Sequence, residues 1–312
     1  MANVVITLKQ VLILVIEIGV GYYFAKKGKI PASALSVLTF ICCTIALPCA
    51  IIYPVINLDN SPEVWRNLST GILIILCCAV VQILVCLLLF RKAEDKTRAV
   101  YQMATVYGNS AFMGIPLVSA ILGSEAVIYA TLMVIFDTVF LFAHASMAMS
   151  GKKPTPKFIL SKIFGLATVS LLIGLAILVS GIKLPDVVTT CMVDLKGMMT
   201  PVAMLIIGTQ LAQQDFKSIF KNPTYYTVSG IKLIVWPLIF IACLLPFKGV
   251  FPMLAIVAII ICKATPQAAV LGVLADANGL DGKAAASVVG LTTIISVVTL
   301  PIIAGIAQML FA

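Results

Sequence analysis

Long apolar runs alternate with short polar joints along the whole chain. The runs lie at about 4–24, 32–56, 68–90, 97–122, 126–149, 158–181, 186–212, 224–245, 251–275 and 284–311. The joints include KKGKIP at 26–31, NSPE at 60–63, RKAEDK at 91–96, GKKPTPK at 151–157 and ANGLDGK at 277–283. Each run reaches the roughly 20 residues that a helix needs to cross a hydrocarbon core about 30 Å thick. None shows the period-2 alternation of a transmembrane barrel strand. The first run lacks a basic n-region and a small-residue cleavage site, so it is expected to be a retained span, not a signal peptide. The pattern predicts an all-α polytopic membrane protein with ten transmembrane helices.

Two of the ten runs are interrupted. The fourth carries GNSAFMGIPL at 108–117 and the ninth carries CKATPQAAV at 262–270. Proline removes a backbone donor and clashes with the carbonyl four residues back. Irregular backbone at bilayer depth is tolerated only where protein covers it or a water-filled cavity lies beside it. Two ordinary proline kinks, patched by Ser and Thr, are the plainer alternative. Register argues for more. Pro116 and Pro266 are 150 residues apart, and Pro48 and Pro201, in the second runs of the two halves, are 153 apart. Two five-helix repeats are therefore expected, at 1–150 and 158–312, joined by a cytoplasmic linker at 151–157. Five is odd, so the second repeat is inverted. Helices 4 and 9 are then broken and crossed, with a binding site at the midplane.

Composition supports the membrane assignment. Of 312 residues 62% are hydrophobic and 11% charged, and the mean hydropathy is +1.15. The net charge of +9 reads as topology, not as a nucleic-acid footprint. Loops after the odd-numbered spans hold 14 Lys and Arg (26, 27, 29, 91, 92, 96, 98, 152, 153, 157, 162, 217, 221, 283), and the opposite loops hold 3 (66, 183, 248). The positive-inside rule places both termini outside a cell (inner) membrane. The nine cysteines all fall in apolar runs without a CxxC pair, and His144 is the single histidine. Neither a metal site nor a disulfide framework is expected.

GNSAFMGIPL, with Asn109, Gly114 and Pro116, resembles a motif of the auxin efflux carrier family in its bacterial branch. TPVAMLIIGTQLA at 200–212 and TPQAAV at 265–270 resemble that family more loosely. The resemblance runs along the whole chain. It implies a secondary transporter of organic anions, with helices 4 and 9 crossed in a mobile core. It also implies a scaffold from the first two spans of each repeat, and elevator-type movement. The fold is similar to that of bile acid–sodium symporters. Plant members carry asparagine near both breaks; here the second break has Lys263, Thr265 and Gln267 instead.

If the broken helices cross at Pro116 and Pro266, the half-helices beginning there aim two positive ends at one volume, which suits a carboxylate. Asn109 and Ser110 add polar groups from one side and Thr265 and Gln267 from the other, so the expected substrate site is Asn109, Ser110, Gly114, Pro116, Lys263, Thr265, Pro266 and Gln267. Lys263 either neutralises a substrate carboxylate or pairs with Asp137. Asp137, an isolated acid midway along its span, is the candidate for ion coupling as proton carrier or cation ligand, with Glu17 second. Each also has a structural reading, as a satisfied acid. Lys232 is expected to snorkel to the inner interface, and His144 to make ordinary hydrogen bonds.

Function classes narrow accordingly. No DDxxD, HExxH or GxSxG occurs, which argues against an intramembrane enzyme, and no GxxxxGK[ST] occurs, so a gradient would drive transport. The expectation is an elevator-type carrier of a small organic anion, a mono- or dicarboxylate in chemistry, needing no cofactor beyond a coupling H+ or Na+. Its surroundings are the lipid bilayer, and a homodimer through the scaffold would suit it. A sodium-coupled bile-acid-like symporter, an ion channel and a membrane sensor are the alternatives.

Overall fold

Polar residues and prolines set the helix boundaries. The computed structural model describes residues 2–150, 155–214, 219–268, 270–277 and 279–311. Lys152, Lys153, Lys217 and most of the 151–157 linker lie outside the described residues. In chain order the helices are α1 (Ala2–Lys26), α2 (Ala34–Ile56), α3 (Pro62–Cys86), α4 (Asp95–Val106), α5 (Ser110–Leu122), α6 (Val127–Ser150) and α7 (Pro156–Ile163). Then follow α8 (Leu166–Ser180), α9 (Asp186–Ala212), α10 (Pro223–Phe247), α11 (Met253–Ala264), α12 (Leu271–Ala277) and α13 (Gly282–Phe311).

Three helices start alike. The side chains of Ser61, Thr155 and Asn222 accept hydrogen bonds from the backbone N–H groups of Val64, Phe158 and Thr224, and a proline follows each of them as the first helical residue. These caps satisfy donors that the first turn leaves free, and proline there loses nothing. They explain why α3 begins at Pro62, ahead of the apolar edge at 68. Internal prolines act differently. Pro48, Pro116 and Pro237 each follow a widened, π-type turn, at Ile41–Ala46, Ser110–Gly114 and Ile231–Val235. A turn that widens just ahead of the ring relieves its clash and loosens the bonding ladder locally.

The architecture is all-helical. By length and composition six helical stretches among the described residues can cross a membrane: Ala34–Ile56, Pro62–Cys86, Ser124–His144, Asp186–Ala212, Pro223–Phe247 and Gly282–Phe311. The pair α7 and α8, bent by 58°, makes a seventh if it is one span. The first run forms a single helix, α1, of 25 residues. The fourth and ninth runs each form two short helices, because both are interrupted. At about 1.5 Å per residue the 12 residues of α4 or of α11 extend only about 18 Å.

Packing sorts the helices into two groups. α1 lies along α9, and the second half of α2 lies against α8 and the start of α9. The α1–α9 approach is close: a Cβ on Gly208 would strike the Ile18 carbonyl, and one on Gly21 would come within 2.7 Å of the Leu205 carbonyl oxygen. Small residues are what permits backbones to approach in this way. In the other group α11 is the most buried helix, with every residue from 255 to 264 below 2% exposure. It is surrounded by α13, α6, α10, α5 and α3.

Candidate functional site

The two interrupted helices meet at their breaks. α4 ends at Val106 and α11 at Ala264, and extended backbone follows each. Gly108 and Gln267 pair as an antiparallel bridge. The Asn109 N–H donates to the Pro266 carbonyl at 2.8 Å, and the Ala268 N–H donates to the Tyr107 carbonyl at 3.4 Å. Each break thus takes up backbone groups freed by the other, so non-helical chain stays satisfied away from water.

The prolines are not the points where helices restart, which corrects the expectation from sequence. Pro116 lies inside α5, beyond its widened first turn, and Pro266 lies in the extended stretch. The first half-helix starts at Ser110, with Asn109 as its cap. The Asn109 side-chain oxygen accepts from the Phe112 N–H at 3.3 Å. The second half-helix, α12, starts at Leu271.

Gly108 is required by the crowding at this junction. A Cβ there would stand 2.6 Å from Thr265 Oγ1, 3.0 Å from Lys232 Nζ and 3.1 Å from the Cys262 carbonyl oxygen. Lys232 itself is the main correction. It is fully buried instead of snorkelling. From the widened turn of α10, its ammonium donates to the carbonyls of Lys263 at 3.0 Å and Val106 at 3.4 Å. Those residues stand at the C-terminal ends of α11 and α4. A helix C-terminus carries partial negative charge on its unsatisfied carbonyls, so one ammonium closes both broken helices. Removing an ammonium from water costs several kcal/mol. Charge-assisted hydrogen bonds at about 1.5–3 kcal/mol each, and two helix ends, offset that cost.

Asp137 is not isolated. Lys263 Nζ lies 3.1 Å from Asp137 Oδ1, and Ser110 Oγ donates to Oδ2 at 3.0 Å. Asp137, Lys232 and Lys263 are the three buried side chains that carry formal charge among the described residues. Their sum is +1.

A cavity of about 100 Å³ opens beside the first break. Tyr107, Asn109, Ser110 and Phe112 line one side, Asp137, Thr138 and Phe142 of α6 another, and Ala268 and Val270 of the second break close it. The opening residues of α5 form its wall, so the positive end of that helix bears on the cavity. On the other side of Asn109 a space of about 10 Å³ touches Gln210 and Gln214 at the end of α9 and Thr293 of α13. That is room for about one water.

Of the residues expected from sequence, Asn109, Ser110 and Asp137 line the cavity. The others do not line it. Gly114 packs on Cys262, whose Sγ would sit 3.0 Å from an added Cβ. Thr265 donates to the Cys262 carbonyl at 2.6 Å. Gln267 is fully buried, and neither atom of its side-chain amide has a partner among the described residues. Glu17 is away from the cavity on α1, half-buried, with Oε2 unpartnered among the described residues. His144 Nδ1 lies 3.3 Å from the Tyr107 hydroxyl, which donates to the Phe140 carbonyl at 3.1 Å. Sequence reasoning missed Tyr107, Thr138 and Phe142, and gave Lys232 a different role. Tyr107 directly precedes the motif, and Lys232 was visible as a cation inside an apolar run.

Comparisons with known proteins point to membrane transport. An uncharacterized transporter of Methanothermobacter thermautotrophicus is 25% identical over 308 residues, which cover 95% of this chain and 96% of the relative. An uncharacterized transporter of Methanocaldococcus jannaschii is 24% identical over 222 residues, 68% of this chain and 71% of the relative. The profile of one family, described as membrane transport protein, matches residues 6–155 and 152–304. With nearly the whole chain matched, this multi-pass membrane protein belongs to that transporter family, the auxin efflux carriers.

Proposed function

We propose that the protein is an elevator-type secondary transporter, carrying a small organic anion such as a mono- or dicarboxylate across the cytoplasmic membrane. The observation that carries the proposal is the antiparallel meeting of two broken helices beside a cavity walled by a helix N-terminus. Substrate sites of secondary transporters are built from such discontinuous helices. The buried formal charge of +1 supports an anionic cargo. A cavity of about 100 Å³ supports a small cargo over a bile-acid-sized one, since drug-sized ligands occupy about 300–1,000 Å³.

In this reading the chain has ten spans, with α4 and α5 as the fourth and α11 and α12 as the ninth. Residues 1–150 and 158–312 are inverted repeats about the 151–157 linker, and both termini face outside. The order of elements supports it, because a broken span stands fourth in each half. α1, α2, α7, α8 and α9 form the scaffold, a reading supported by the packing of α1 on α9 and of α2 on α8 and α9. Asn109 and Ser110 contact the substrate. Gly114, Pro116, Thr265, Pro266 and Gln267 shape the crossing, and Lys263 holds Asp137. Asp137 and, at the scaffold, Glu17 are the acids available for coupling.

The test is Asn109→Ala in proteoliposomes loaded with organic acids. Transport should fall at least tenfold, with folded protein still in the membrane. Unchanged transport at equal expression would remove Asn109, and with it this site, from the mechanism.

A further inference from the structure

We propose that the Lys232 ammonium is a tethered cation, occupying the place where this crossing would otherwise bind a coupling alkali ion, so that transport needs no sodium. The inference rests on the transporter reading above and deepens it by naming the ion that is not used.

Half-helix C-terminal ends and unwound carbonyls are the usual ligands for Na+ in transporters with broken helices. Here two such ends, those of α4 and α11, converge on one point, and Lys232 Nζ stands at it. Its partners are main-chain oxygens, Val106 O at 3.4 Å and Lys263 O at 3.0 Å. Two further oxygens border the same space. Thr265 Oγ1, the Cys262 carbonyl oxygen and Lys232 Nζ all lie within 3.1 Å of one position, that of an added Gly108 Cβ. Carbonyl and hydroxyl oxygens are the ligands that hard cations prefer. No carboxylate lies within ion-pair distance of Lys232 among the described residues, because the nearby Asp137 pairs with Lys263. The ammonium therefore does for the Val106 and Lys263 carbonyls what a bound cation would do.

The consequence is mechanistic. A diffusible ion binds and leaves, so its gradient can drive transport. A tethered one stays with the protein through every cycle, so no gradient of that ion can act at the crossing. The driving gradient is then left to the proton or to the anion itself.

The test removes the tether. Wild-type protein and the variants Lys232→Ala and Lys232→Ser are purified, and thermal midpoints are compared in choline, sodium and potassium chloride at equal ionic strength. The expected wild-type midpoint is the same in all three salts. Both variants should melt lower in choline, and sodium or potassium should restore them saturably by several degrees, as ligand binding to the folded state requires. Serine, which brings an oxygen, should bind the ion at lower concentration than alanine. If neither variant is folded in choline, purification in about 0.5 M alkali chloride, well above a weak millimolar-range Kd, is the readout. Folded protein recovered there alone supports the proposal. Two outcomes overturn it: a sodium-dependent wild type, or variants indifferent to every alkali ion, whether folded or not. None of these readings needs a substrate, so failure here is distinct from failure of the transport proposal, which a substrate-blind wild type would show.

Discussion

Replacing Asp137 by asparagine would strand a charge, and its size can be worked from the structure. Lys263 is 1% exposed, and its ammonium has one carboxylate partner, at 3.1 Å. The asparagine would keep an oxygen for Ser110 or for Lys263 but would lose the negative charge. Breaking a buried ion pair by removing one partner costs about 3–5 kcal/mol. At about 2 °C or more per kcal/mol for a chain of this size, the midpoint should fall on the order of 10 °C. The second half of the experiment removes the stranded ammonium as well. Asp137→Asn with Lys263→Met replaces the lysine stem with an apolar chain of similar reach, and replacing both members of a buried pair is often neutral. The double variant should therefore melt above Asp137→Asn, with a coupling of about 2 kcal/mol or more. The assay is thermal unfolding of purified protein, followed by intrinsic fluorescence of the buried Trp236. An Asp137→Asn midpoint within about 2 °C of wild type, or a double variant less stable than either single one, would refute the argument. In proteoliposomes the same Asp137→Asn protein should exchange substrate but no longer accumulate it against a gradient. Gradient-driven accumulation by this variant would exclude Asp137 as the coupling group.

Three further outcomes are expected. Gly108→Ala drives a methyl against Thr265, Lys232 and Cys262. Overpacking of about 1–3 kcal/mol should lower the melting midpoint and abolish transport, and a fully active variant would show that the crossing can yield. Lys263→Ala should weaken mono- and dicarboxylates alike, since its ammonium is held by Asp137. Selective loss of dicarboxylates in binding titrations would instead put Lys263 on the substrate. A reporter fused after residue 312 should signal from the exterior, as the Lys and Arg asymmetry requires, and a cytoplasmic signal would break the ten-span topology.

Much of the helical frame is written locally. Apolar runs long enough to span a bilayer, cap residues ahead of prolines, and the polar interruptions at 108–117 and 262–270 are all properties of neighbouring residues. Backbone hydrogen bonding in an apolar solvent forces such runs to be helical and makes every interruption costly. That is why helices appear in each predicted run, and why Asn109 and Ser110 could be picked out before any fold was known.

Partners are another matter. Asp137 and Lys263 are 126 residues apart in the chain, as are Lys232 and Val106. No local period links them. From sequence, the Asp137–Lys263 pair was one of two alternatives for Lys263, and the structure shows it, whereas Lys232 looked able to reach the interface because the cost of its charge was visible but its compensation was not. Tertiary structure decided that the two breaks bond to each other, that Lys232 closes both helix ends, and that the helices restart at Ser110 and Leu271 and not at the prolines. The physical reason is common to all three. A buried polar group must be satisfied; for the joined breaks and for Lys232 what satisfies it comes from a distant segment of the chain, and those contacts fix where the helices can restart.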